Sequence, residues 1–288
     1  MKFAVNYSRP AIELYRERPA SFDLLKLPAW PGLVEKTVPE FPCYVHFGLV
    51  TTGLGGQVQD HETGSLMDPG LIRRTLALTG TPHVNAHLSP QAGVAPAEPG
   101  ALIDNLVRDV RVLTGAFGPE NVVVENDSGG FDVADAALQP EVIRAVVGQT
   151  GCRLLLDLAH AQLAARILGM DVQAYLAGLP LDRIGEIHIT GVQYLDENWQ
   201  ARLRDSGLLD ARHLEKFRDV WMDHLPLTEA DWEYVEWSFG QIHAGAWSEP
   251  RIVSCEYGGV GSFFEAVMDR EVVFEQVPRL EKIIHPER

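Results

Sequence analysis

The chain has 288 residues, 46% of them hydrophobic, and a formal net charge of −16. That is enough apolar material for one large core, and α/β barrels of this length are commonly one domain, whereas the acidity argues against nucleic acid, whose phosphates need clustered Lys and Arg. No run reaches the roughly 18 apolar residues of a membrane span, and MKFAVNYSRP lacks a basic region followed by an apolar run, so neither span nor signal peptide is expected.

Short apolar runs of β type recur along the chain: FAVNYS, CYVHFG, HVNAHL, NVVVEN, RLLLDLA, IGEIHIT and IVSCEY. Their apolar residues do not alternate with polar ones, which fits strands buried on both faces of a parallel sheet. Helical spacing follows them. Residues 68–79 carry a Pro near the start. Residues 100–115 place Leu102, Ile103, Leu106, Val110 and Leu113 on one stripe and stop at a Gly. Further helices are expected over 139–149, over 161–168 and 171–178 on either side of Gly169, over 228–243 behind an N-capping T-E-A-D, and over 262–269. The tail from Arg270 reads as a final helix or an extended arm. Residues 191–220 read as a polar, irregular loop or insertion over one end of the fold.

Strands alternating with helices indicate repeated βαβ units. Seven strands are clear, and a weaker one near Val220–His224 makes eight. The expected fold is therefore α/β, a (β/α)8 TIM barrel formed by a single domain over 1–288. An open doubly wound sheet is the alternative. GLGG at 53–56 lacks G-x-G-x-x-G spacing, which speaks against a dinucleotide site.

The apolar runs end in metal-ligating side chains: His46, His87, Glu125, Asp157 with His160, His188, Asp223 with His224, and Glu256. In such barrels the active site lies at the C-terminal strand ends. Imidazole and carboxylate together suit Zn, Mn or Fe. Nine candidates exceed what one ion needs, which points to two or three ions with bridging carboxylates. Each residue also has a plainer role. Asp157 could cap the following helix, and Gly129 and Gly130 after Glu125 are what any tight loop needs. His61 and Glu62, in D-H-E-T, are outer candidates. His83 reads as structural, and His213, His243 and His285 as solvated. No residue is singled out as the catalytic acid or base.

The run CRLLLDLAHAQLAARILGMDVQAYLAGLPLDRIGEIHITG resembles the multinuclear non-heme iron-dependent oxidative enzymes, long catalogued as a domain of unknown function. Their strand ending in Asp, their d-x-x-x-Y-L-x-x-L-P segment and their I-H-L-A-G strand appear here in the same order. VHFGLVTTGLGG, VNAHLSP, VVVEN and the Glu256 strand resemble other strands of that family. More distantly, the chain is similar to xylose isomerase-like and endonuclease IV-like barrels. The resemblance implies a (β/α)8 fold and two or three iron ions held by His46, His87, Glu125, Asp157, His188 and Glu256. It also implies O2-dependent oxidation of a peptide or small thiol substrate, in several members presented by a partner protein. The chain departs from the pattern at four places. Val192 replaces a second His, Asp223-His224 is contiguous where the family has D-x-H, His160 replaces an Asn, and FDLLKLP replaces an F-E-x-H-x-E strand.

Two other functions stay open: a Zn- or Mn-dependent hydrolase or sugar isomerase, and a non-catalytic metal-binding protein. Cys43, Cys152 and Cys255 are far apart and odd in number, which reads as reduced thiols in a cytoplasmic protein.

Overall fold

The computed structural model describes residues 1–129 and 133–287; Gly130 lies outside the described residues. Eight parallel strands form the barrel wall: β1 Lys2–Asn6, β2 Leu24–Pro28, β3 Cys43–His46, β4 Val84–His87, β5 Val122–Glu125, β6 Arg153–Asp157, β7 Ile184–Ile189 and β8 Ile252–Cys255. Hydrogen bonds run continuously from β3 through β2, β1, β8, β7, β6 and β5 to β4. The first and last strands in sequence therefore pair, with Phe3 opposite Val253 and Val5 opposite Cys255. The architecture is a (β/α)8 barrel, with helices between successive strands.

The wall is closed differently between β3 and β4. Phe47 N–H donates to Asn85 Oδ1 (2.6 Å), and Asn85 Nδ2 donates to the Phe47 carbonyl (2.9 Å). A side-chain amide thus supplies the donor–acceptor pair a neighbouring strand would have supplied. Thr81 Oγ1 accepts from Val45 N–H lower on the same seam (2.9 Å). Above it, the hairpin Leu49–Thr51/Val58–Asp60 continues the sheet by pairing Val50 with His87.

The expected helices form at Pro69–Thr79, Pro99–Phe117, Pro140–Thr150, Leu158–Leu168, Val172–Gly178, Glu229–His243 and Ser262–Val267, and the tail forms a helix over Arg270–Ile284. Asp68 caps the first of these by accepting from Gly70 and Leu71 N–H. Thr228 and Asp231 make a reciprocal capping box at the start of Glu229–His243.

Two expectations are corrected. The eighth barrel strand is β2, from the stretch LLKLP, and not the segment near Val220–His224. Its central Lys26 and terminal Pro28 disguise it, yet Leu25, Lys26 and Leu27 are all buried. The strand Trp221–Leu225 does form, but it pairs antiparallel with Gly191–Tyr194 in a separate two-stranded sheet. Residues 191–220 are accordingly not irregular. They hold one arm of that ribbon and the helices Glu197–Asp205 and Ala211–Lys216, with their own small core around Leu195, Leu203, Leu225 and Phe263. No described helix is long and apolar enough to cross a membrane.

The seam yields a stability test. Asn85→Ala leaves the buried Phe47 N–H and C=O without partners, at roughly 1–3 kcal/mol per group. Urea denaturation should show a loss of about 2–4 kcal/mol; a loss below about 1 kcal/mol would mean the seam is held by other contacts.

Candidate metal centre

Because all eight barrel strands are parallel, their C-terminal ends share one face, and the last residue of several is an ionisable side chain. Glu125, at the end of β5, is the hub. Its Oε2 faces His46 Nε2 (3.6 Å) and His87 Nδ1 (3.5 Å), and its Oε1 faces His160 Nδ1 and His188 Nδ1 (both 3.4 Å). His46 and His87 end β3 and β4 and meet at 3.2 Å across the seam. His188 Nδ1 also faces Glu256 Oε1 (3.1 Å) and Asp157 Oδ2 (3.7 Å). His160 Nε2 faces Asp223 Oδ2 (3.0 Å) and Asp157 Oδ2 (3.8 Å). His224 Nε2 lies 3.8 Å from Asp223 Oδ2, while its Nδ1 meets the Glu256 carbonyl at 2.8 Å. The structure thus brings all nine candidates from the sequence into one contiguous network.

Asp157 caps the following helix, as its plainer role predicts. Its Oδ1 caps the next helix by accepting from His160 N–H (2.8 Å), while its buried Oδ2 has no hydrogen bond. His160 Nδ1 meets the Asn126 carbonyl at 2.8 Å, which aims Nε2 inward. Asn126 in turn accepts from Asp157 N–H (2.9 Å) and donates to its carbonyl (3.0 Å), so the β5 and β6 ends stay in register.

Beneath this layer lies a second one that the sequence reading missed. Glu186, two residues before His188 and therefore on the same face of β7, faces His188 Nε2 (2.8 Å), accepts from Tyr44 Oη (2.8 Å) and contacts His83 Nε2. The period-two spacing in E-I-H was the available signal. With Nε2 turned to Glu186, His188 presents Nδ1 as its ligating atom. Lys26 was missed as well. Its Nζ contacts Glu256 Oε1 and lies 3.3 Å from His188 Nε2. Among the described residues it is the one buried Lys or Arg.

The remaining histidines stand apart. His61 is exposed, and Glu62 accepts from Trp30 Nε1 at the rim (2.7 Å). His213 and His243 are exposed. His285 is not solvated: it is largely covered and lies 3.9 Å from Asp23 Oδ2. Val192, where the resembled family has a His, packs with Ala159 and Leu163 in an apolar cluster.

Electrostatics separate the imidazoles. Burial pulls His46 well below its usual range, and lowers His87 and His224. Burial acts the same way on His160, but Asp157, Asp223 and Glu125 outweigh it and carry that ring well above its usual range. His188 is likewise raised, burial and Lys26 being outweighed by its carboxylates. Burial would raise Glu125, yet His87, His188 and His46 hold it well below the usual carboxylate range.

These donors fit a metal. His46 Nδ1, Glu125 Oε2, Asp157 Oδ2 and His188 Nδ1 are buried without hydrogen-bond partners. Such orphaned groups are rare in folded proteins. The donor separations across the network, 3.1 to 3.7 Å for His188 and its carboxylates, are close to those of ligands sharing an ion at about 2.0–2.2 Å. Three triads have ligand atoms within 4.8 Å of one another: His46–Glu125–His188, Glu125–Asp157–His160 and Asp157–His188–Glu256. A cavity of about 310 Å³ adjoins them, lined by His46, His87, Glu125, His160, His224 and Glu256 together with the aromatic Tyr7, Trp30 and Phe264.

Residues 99–222 match the family of RiPP precursor modification enzymes MbnB/TglH/ChrH. Curated relatives of the chain are UPF0276 proteins. One from Paraburkholderia phytofirmans is 46% identical over 80 residues, 27% of this chain and 26% of that protein. Another, from Chromobacterium violaceum, is 31% identical over 156 residues, 52% of this chain and 53% of that protein. The matched segments thus span from about a quarter to about half of these relatives. Among solved structures, a zinc-bound IOLI protein aligns over 100% of this chain and 99% of its own at TM-score 0.55 and 12% identity. A D-tagatose 3-epimerase-like protein aligns over 98% of both chains at TM-score 0.52 and 12% identity. These two show the fold. The family match and the imidazole–carboxylate cluster together support a metal-dependent enzyme, and the resemblance read from the Asp157 and His188 strands is upheld.

Glu186 provides a test of how the centre is held. Glu186→Leu removes the acceptor that fixes the His188 ring, and metal affinity should fall about 10- to 100-fold in competition with a chromophoric chelator. The far-UV circular dichroism should not change. Wild-type affinity in the variant would show that the ring is fixed by other groups.

Proposed function

We propose that the chain is a non-heme iron enzyme that uses O2 to oxidise a peptide or small thiol-containing substrate. Two or three irons would be held by His46, His87, Glu125, Asp157, His160, His188, Asp223, His224 and Glu256. The observation that carries this reading is that Glu125 Oε2, Asp157 Oδ2 and His188 Nδ1 are buried without hydrogen bonds and lie among facing imidazoles and carboxylates at the C-terminal strand ends. The match to precursor modification enzymes favours a peptide as substrate, and a partner protein that presents the peptide belongs to the same proposal. Bound iron would supply one-electron chemistry and Lewis acidity that side chains lack.

The chain's own residues do the rest. Glu125 offers one carboxylate oxygen to each side of the cluster and so can bridge two ions. Glu186 and Asn126 orient His188 and His160 from behind. Tyr7, Trp30 and Phe264 add aromatic surface to the lining of the cavity that the donors share. The three cysteines are buried, and burial raises their thiols. The oxidisable thiol is accordingly the substrate's, and a reducing cytoplasm is the compartment that suits the enzyme.

A second reading, a Zn- or Mn-dependent hydrolase or isomerase, has a specific observation in its favour. Asp157 and His160 form a D-x-x-H pair around Glu125, a donor set equally suited to zinc, and the neighbours in fold include a zinc-bound protein and an epimerase-like protein. Anaerobic loading with Fe(II), followed by elemental analysis and O2-electrode traces with cysteine-containing peptides and small thiols, separates the two. The iron reading expects at least one iron per chain and thiol-dependent O2 uptake, with Glu125→Gln at least about tenfold slower. Less than one iron per chain, no uptake with any thiol, and turnover of sugars with Zn or Mn in the absence of O2 would replace it with the second reading.

A further inference from the structure

The three ligand triads are not equivalent, because one contains a side-chain cation. His46–Glu125–His188 and Glu125–Asp157–His160 share Glu125, whose Oε2 faces His46 and His87 and whose Oε1 faces His160 and His188. Each of these two triads can take one ion. In the third triad, Asp157–His188–Glu256, Glu256 Oε1 stands 3.1 Å from His188 Nδ1. That same oxygen is in contact with Lys26 Nζ.

Resting on the metal reading above, we propose that the Lys26 ammonium stands in for a third ion, so that this centre holds two ions bridged by Glu125. The lysine reaches the cluster from the middle of β2 and is buried along its length. Nζ also lies 3.3 Å from His188 Nε2, so it is packed against both Glu256 and His188 of the third triad. An ion bound beside His188 through Glu256 Oε1 would share that oxygen with an ammonium group. The two cations would be a few ångströms apart with no water between them, and their repulsion is twice that of two single charges because the ion is divalent. The ammonium meanwhile supplies part of what the ion would have supplied, a positive charge against Glu256. One other departure agrees: Val192, where the resembled family has a His, packs with Ala159 and Leu163 in an apolar cluster and offers no ligand.

The test is a metal count. Wild-type protein and the variants Lys26→Ala, Lys26→His and Lys26→Arg are titrated anaerobically with Co(II), desalted and analysed for cobalt, with visible absorption followed during the titration. Two equivalents are expected for the wild type and for Lys26→Arg, and three for Lys26→Ala and Lys26→His. Three equivalents in the wild type overturn the proposal, whether or not the variants fold. So does a count of two in both Lys26→Ala and Lys26→His. Less than one equivalent in the wild type is a different result, which removes the metal reading itself.

Discussion

The constraint on which this molecule turns is a surplus of buried negative charge. Glu125, Asp157, Glu186, Asp223 and Glu256 are all buried at the barrel mouth, and Lys26 is the one buried Lys or Arg among the described residues. An unpaired carboxylate in a protein interior costs several kcal/mol even after relaxation. The metal-free protein meets this cost with imidazoles: the carboxylates raise His160 and His188 despite their burial. Protons on those rings and ions on the same rings are alternatives, so metal binding and proton release are linked. The buried carboxylates are stable only because some cation is always available to them.

The barrel provides the rigidity that such a cluster requires. Parallel strands put His46, His87, Glu125, Asp157 and His188 at neighbouring positions around one rim, with register pairs such as His87–Glu125 and Asp157–His188. Two asparagines carry the register beyond the strand ends. Asn85 ties β4 to Phe47, and Asn126 ties β5 to Asp157, each by an acceptor and a donor from one amide. An amide side chain of this kind imitates a strand neighbour where the backbone ladder has stopped. The Asp157 carboxylate is divided in the same economical way, one oxygen fixing the helix that carries His160 and the other left for the centre.

The metal-ligating residue types could be read from the sequence because each sits at the end of an apolar run, and a chain of βαβ units leaves those ends little choice of position. Seven barrel strands were legible for the same reason. The eighth was not, since Lys26 in LLKLP looks like a break in a strand until tertiary structure gives the ammonium Glu256 to pair with. Glu186 escaped notice because it lies in mid-strand, where a polar residue carries no loop signal. The helices within 191–220 were obscured by composition: Glu197–Asp205 is mostly polar and buries Leu203 alone, so its pattern against the small core is faint.

The contiguous Asp223-His224 pair shows how a departure in sequence is absorbed in the backbone. Neighbouring residues of a regular strand point to opposite faces, so two adjacent ligands should not reach one site, whereas the D-x-H spacing of the resembled family would allow it. Here His224 adopts φ of 58°, the left-handed region that few residues other than Gly enter. The turn of the chain at that residue brings its ring to the cavity while Asp223 faces His160 at 3.0 Å. The ribbon is seated closely enough to hold this conformation. A Cβ on Gly191 would fall 2.0 Å from the Pro226 carbonyl oxygen, so only Gly lets the two arms close at their base. His224 is then fixed by the Glu256 carbonyl at 2.8 Å. A strained residue persists only where its surroundings over-determine it, and these contacts do so at the point where the ribbon delivers two donors to the barrel mouth.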